Sequence, residues 1–126
     1  MPYQYAVIQV VPDVERGERF NAGVVLFCRS RRFLSARTSL DLEKLSALAP
    51  ACDSETITTQ LEALERIAAG DISAGPLARL EQAERFHWLV APGSTMLQPS
   101  DVHSGLTSDP AAALDRLFHR LVKRPK

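Results

Sequence analysis

The sequence predicts an α+β domain. Its sheet is a single layer of about five mostly antiparallel strands packed with helices, in the order β-β-β-α-α-α-β-β-α. Three observations predict it. Strand-like and helix-like segments come in runs, not in strict alternation, as in layered α+β domains. Two early segments, Tyr3–Val11 and Asn21–Cys28, are apolar on both alternating faces, the mark of strands covered on both sides. The segments between Ser39 and Ala83, and again after Asp109, carry their apolar residues in one-sided stripes.

Tyr3–Val11, YQYAVIQVV, is rich in β-branched and aromatic residues and closes at Pro12-Asp13. A polar loop runs through Gly17. In the second strand, Asn21–Cys28, Gly23 predicts a bulge or the close approach of another backbone. The short turn Arg29-Ser30-Arg31 makes Arg32–Thr38 its antiparallel partner. Ser39 is placed to cap a short helix carrying Leu42, Leu45 and Leu48 and ending at Pro50. Asp53 or Ser54 caps a longer helix with Ile57, Leu61, Leu64, Ile67 and Ala68 on one stripe, closed by Gly70. Pro76 opens a third helix through Leu77, Leu80 and Ala83. Phe86–Val90, FHWLV, reads as a fourth strand. It points Phe86, Trp88 and Val90 to one face, with Trp88 a core anchor, and His87 and Leu89 to the other. Ala91–Thr95 is a turn. Met96–Gln98 is a short fifth strand, ended by Pro99 and pairing back on the fourth. Val102–Thr107 is irregular. Ser108-Asp109-Pro110 starts a last helix with Leu114, Leu117, Phe118, Leu121 and Val122 on one face, and Arg116, Arg120 and Lys123 on the other. Arg124–Lys126 is a frayed tail.

Size and composition bound the function. The 126 residues make one domain, 1–126, large enough for a core. With 45% hydrophobic and 24% charged residues the chain is globular, not disordered, fibrous or a disulfide scaffold. No apolar run approaches the ~18–20 residues that cross a bilayer. The N-terminus lacks the basic start and apolar stretch of a signal peptide. Cys28 and Cys52 are isolated, which argues against a zinc ribbon or redox motif; with no export signal they fit a reducing cytoplasm.

The formal net charge of zero conceals blocks. Residues 16–37 hold six Arg against one Glu, and residues 38–84 hold nine acids against three bases. The acidic helices are expected to fold back beside the basic hairpin. Nucleic-acid binders are usually basic overall and use exposed aromatics, so this neutral chain is not expected to take nucleic acid as a partner.

The familiar catalytic and nucleotide-binding motifs are absent. Polar and aromatic residues concentrate between Arg85 and Gly105, around His87, Ser94, Thr95, Gln98, Ser100, Asp101 and His103. Ser94 and Thr95 follow Pro92-Gly93, where hydroxyls and backbone N–H groups can cradle an anion; they are also ordinary turn residues. His87 and His103 are an acid–base pair, or two metal ligands with Asp101 or Cys28, or hydrogen-bonded structural residues. Nothing in their spacing requires a metal, and no cofactor is expected. His119 belongs on the surface. Arg19, leading into the second strand with Asn21, either binds an anion or pairs in solvent with Glu18 or an acidic helix. The arginines of the third strand and its turn also suit an edge that must not aggregate.

Two runs together carry a resemblance. The first is Arg16-Gly17-Glu18-Arg19-Phe20-Asn21-Ala22-Gly23-Val24-Val25-Leu26-Phe27. The second is Arg85-Phe86-His87-Trp88-Leu89, then Ala91-Pro92, Ser94-Thr95, Gln98-Pro99-Ser100 and His103-x-Gly105. They resemble a bacterial family known as domain of unknown function 3037, over essentially the whole chain. The family name carries no activity. Arg19, Asn21, Gly23, Ser94, Thr95, Gln98, Ser100 and His103 match its pattern. Gly93 stands where the family has Arg, which weakens any anion site that relies on that Arg. Members often lie beside a gene for a HipA-like kinase, so the resemblance implies a pathway shared with such a kinase or the kinase as a physical partner. The expectation is a small non-enzymatic interaction or regulatory domain with a protein partner. The alternative is a small enzyme binding a phosphate or nucleotide ligand through Arg85–Gly105.

Overall fold

Strands that are apolar on both faces need cover on both faces, and the chain supplies it. A computed structural model describes residues 1–13, 15–91 and 96–123. Among them the strands are β1 (Pro2–Val10), β2 (Phe20–Cys28), β3 (Phe33–Thr38), β4 (Leu97–Pro99) and β5 (His103–Leu106). The helices are α1 (Leu42–Leu48), α2 (Ser54–Ala69), α3 (Gln82–Leu89) and α4 (Pro110–Leu121). The strands form one antiparallel sheet in the order β3-β2-β1. The far edge of β1 is shared: β5 pairs with Pro2–Tyr5 and β4 with Ile8–Val10.

The helices divide between the two faces. α1, α2 and α3 cover Ile8, Val10, Phe20, Val25, Phe27 and Leu34 with Leu45, Ile57, Leu61, Phe86 and Leu89. α4 covers Tyr3, Val24, Leu26 and Cys28 with Leu114, Leu117, Phe118 and Val122. A bulge in β2 makes this division possible. Ile8 faces Gly23 and Gln9 faces Asn21, so Ala22 is the extra residue. Phe20 and Ala22 therefore share a face with Val25 and Phe27, although strict alternation would separate them. Gly23 also meets the second expectation, since a Cβ there would lie 2.9 Å from Thr38 Cγ2 and 3.1 Å from the Arg37 carbonyl.

The helix ends follow local chemistry, with one change of cap. Asp41, not Ser39, caps α1, accepting from the Glu43 and Lys44 N–H groups at 3.1 Å each. Ser39 instead extends the β2–β3 ladder, its N–H donating to the Ala22 carbonyl at 2.8 Å. Asp53 caps α2, and Gly70 closes it in the left-handed region at φ 76°. The helix expected from Pro76 is a single 3-10 turn, Pro76–Arg79, after which Leu80 is extended.

The expected strand Phe86–Val90 is wrong: these residues lie in α3 and its C-terminal cap. Ala83, Phe86, Leu89 and Val90 recur at helical spacing and face the core, a pattern that five residues read alone cannot separate from a strand. Trp88 is consequently not a core anchor. The helix turns it outward, 57% exposed. The short strand near Met96 exists as Leu97–Pro99 but pairs with β1, since no fourth strand is there to receive it. The segment expected to be irregular contains β5. The turn from Pro92 to Thr95 and the tail Arg124–Lys126 lie outside the described residues.

The acidic layer sits against the basic hairpin chiefly through α2 on β3. Glu65 accepts from the Thr38 N–H at 2.8 Å and the Thr38 hydroxyl at 2.6 Å. Arg37 pairs with Asp115 of α4. No helix among the described residues is long and apolar enough to cross a membrane.

Candidate functional site

The residues singled out in the sequence do not gather in one place. Asn21, on the α4 face after the bulge, donates from Nδ2 to the Leu121 carbonyl at 2.9 Å and accepts from Gln9 Nε2 at 3.1 Å. It ties the end of α4 to the sheet. Ser100 stands at the gap between β4 and β5. Its N–H donates to the Val7 carbonyl at 2.8 Å, and its hydroxyl accepts from the Val7 N–H at 2.9 Å. The side chain thereby supplies a ladder bond that no neighbouring carbonyl makes. Arg85 donates from Nη1 to the carbonyls of Leu80 at 2.8 Å and Ala78 at 3.5 Å, which anchors α3 to the preceding turn.

Arg19 is exposed and, among the described residues, reaches only the Gly17 carbonyl of its own loop, at 3.4 Å. Gln98 is half-buried in β4, opposite Gln9. His87 is exposed on α3. His103 is exposed on β5, its ring 5.3 Å from that of its cross-strand neighbour Tyr5. Tyr5 packs with the α4 layer, whereas α3 lies on the opposite face of the sheet. The two histidines thus belong to opposite sides of the sheet. Ser94 and Thr95 lie outside the described residues.

What the structure does assemble is an apolar groove of about 320 Å³ between α2, α3 and the β4 edge. Helix α2 contributes Gln60, Ala63 and Leu64, and α3 contributes Trp88 and Leu89. Ile8, Leu97 and Pro99 form the sheet side, and Ala91 the end of α3. The volume lies at the small end of ligand-site sizes, about 300–1,000 Å³. Among the described residues its lining holds no titratable side chain, so the groove has no group there for acid–base or nucleophilic chemistry. It does offer apolar walls, one amide and an exposed indole at the rim. Trp88 was legible in the sequence only as part of the dense segment. Its exposure follows from the helical stripe of Ala83, Phe86, Leu89 and Val90, which leaves position 88 on the outer face.

A family model described as "Protein of unknown function (DUF3037)" matches residues 5–122. No curated protein and no solved structure matches the chain.

Proposed function

Starting from a chain that belongs to the DUF3037 family, we propose that it is a small non-enzymatic interaction domain that receives a segment of a protein partner in the Trp88 groove. The observation that carries this is the placement of the single tryptophan: 57% exposed, at the mouth of a groove otherwise walled by Ile8, Leu64, Leu89, Leu97 and Pro99. Exposed tryptophans beside apolar pockets are the residues that dominate protein interfaces. The groove is small, suited to a few apolar side chains from one segment. The chain segment that supplies its α2 wall is acidic, with residues 38–84 holding nine acids against three bases. The occupant is therefore an apolar segment flanked by basic residues. The first partner to test is the HipA-like kinase that the family resemblance implies, met in the cytoplasm.

The alternative, an enzyme acting on a phosphate or nucleotide ligand, would use His87 or His103 for proton transfer beside the Arg85–Gly105 segment. The placement of those histidines on opposite faces favours the interaction domain.

The test is capture from the native host with wild-type, Trp88→Ala and Leu106→Ala baits, the last removing an exposed apolar residue far from the groove. Tryptophan truncation at an interface costs about 2 kcal/mol or more, or about 30-fold in affinity. One identified protein should be held by the wild type and Leu106→Ala and lost with Trp88→Ala. Equal retention by all three baits would contradict the proposal.

A further inference from the structure

We propose that a second recess, between the β2–β3 turn and the start of α3, binds a phosphate group. It measures about 540 Å³ and is polar where the Trp88 groove is apolar. Arg29 and Arg32 enter it from the turn, and Arg85 from α3. Phe27 contributes an apolar wall, and Glu81 is the one carboxylate among the described lining residues. Three guanidinium groups against one carboxylate leave a balance of +2, matched to a phosphate dianion. Arginine is the side chain suited to this, since its planar fork meets two phosphate oxygens at once.

Arg29 and Arg32 are uncommitted, and Arg85 is held in place by its Nη1 bonds to the Leu80 and Ala78 carbonyls. Arg16, Arg37 and Arg66 each pair with an acid elsewhere on the surface. Among the described residues, the side chains of Arg29 and Arg32 make no ion pair and no hydrogen bond; Arg29 only lies 5.7 Å from the Phe27 ring. Arg85 Nε is a buried donor with no partner. Gln82 Nε2 donates to the Arg32 carbonyl at 2.7 Å, which fixes the turn to the first residue of α3. The N-cap of that helix is Glu81, whose side chain makes no capping bond, so its first N–H groups are left for water or a ligand. Arg32 itself sits at φ 51°, where glycine costs least and a side chain is strained. An arginine at that position adds charge to the recess at the expense of turn stability.

The recess is separate from the Trp88 groove, and its test does not depend on a protein partner. The experiment is a titration of isotope-labelled protein followed by NMR, with inorganic phosphate against sodium chloride at equal ionic strength. Saturable shifts are expected at the Gln82 and Ala83 amides and at the arginine Nε–H signals of residues 29, 32 and 85. Removing one arginine fork should weaken binding about tenfold or more. Arg32→Gly is the decisive variant, because glycine suits the turn and the fold should survive. Arg29→Gln checks it independently, and Trp88→Ala should leave phosphate binding unchanged. O-phosphoserine and AMP then distinguish the source of the group: preference for the former points to a phosphorylated protein, for the latter to a nucleotide, and either sustains the site. Shifts no different from those in chloride would overturn it, as would wild-type affinity in Arg32→Gly.

Discussion

At Gly105 the edge of the sheet has no room for a side chain. A Cβ there would lie 2.5 Å from the Tyr3 ring, which crosses the strand pair at this point. Gly105→Ala should cost about 1–3 kcal/mol through overpacking, measured as a lower urea midpoint. An unchanged midpoint would mean that the Tyr3 ring moves aside freely. Asn21 has an equally architectural position. Asn21→Ala leaves the Leu121 carbonyl and the Gln9 amide without their partner, and should cost about 1–2 kcal/mol by the same assay. If stability holds, the tie between α4 and the sheet is dispensable. Gly23, Ser100 and Gly105, like Asn21, belong to the runs that carry the family resemblance. In each case the residue contacts backbone or a packed side chain of the sheet and its covers, so folding accounts for it before any chemistry is invoked.

Among the elements, the N-terminal cap of α2 responds to pH. The Asp53 carboxylate is held below its ordinary value of 3.8 by the Thr56 hydroxyl first and then by the Glu55 N–H. A depressed carboxylate contributes stability above its unfolded-state value and loses it as pH falls through the folded one. Asp53→Ala should therefore be less stable than wild type at neutral pH, and the gap should close on acidification below 3.8. A gap that persists in strong acid would show that the cap acts by something other than the ionised carboxylate. The cap of α4 is also local: Asp109 accepts from the Ala112 N–H at 3.2 Å, with Pro110 at the first helical position. Asp109→Ala should cost about 0.5–2 kcal/mol, read from the thermal midpoint.

The same scale shows what the sequence made legible. The first three strands, the α2 stripe and its Gly70 end, and the α4 face were readable because long periodic segments repeat their signal several times. Phe86–Val90 was not. Five residues alternate as well as they spiral, and the evidence for a helix lay upstream, at Ala83. That one error also hid the candidate groove, because it turned Trp88 inward. β5 was missed because Val102–Thr107 is short and its pairing partner, the start of β1, lies about a hundred residues away in sequence. Edge pairing of that range leaves little local mark. The recess at Arg29, Arg32 and Arg85 could not be read either, since it depends on how the turn meets α3.

For the whole molecule, the arrangement is a sheet gripped from both sides by two different covers. The α4 cover is held by packing and by Arg37, which pairs with Asp115 and lies 4.5 Å from the Phe118 ring. Phe118→Ala should cost about 3–5 kcal/mol, close to the full stability of a marginal domain. The opposite cover leaves a groove at its margin, with an exposed indole that the fold does not need. Trp88→Ala should change stability by no more than about 0.5 kcal/mol, as for other surface positions, while losing the partner.

The most direct measurement is photo-crosslinking in the native host with p-benzoylphenylalanine at position 88, compared with position 106. The account predicts one discrete adduct from position 88, mapped by mass spectrometry to an apolar, basic-flanked segment of another protein, and none from position 106. Adducts from position 106 with none from position 88 would contradict it and place the working surface at β5, at the opposite end of the shared β1 edge.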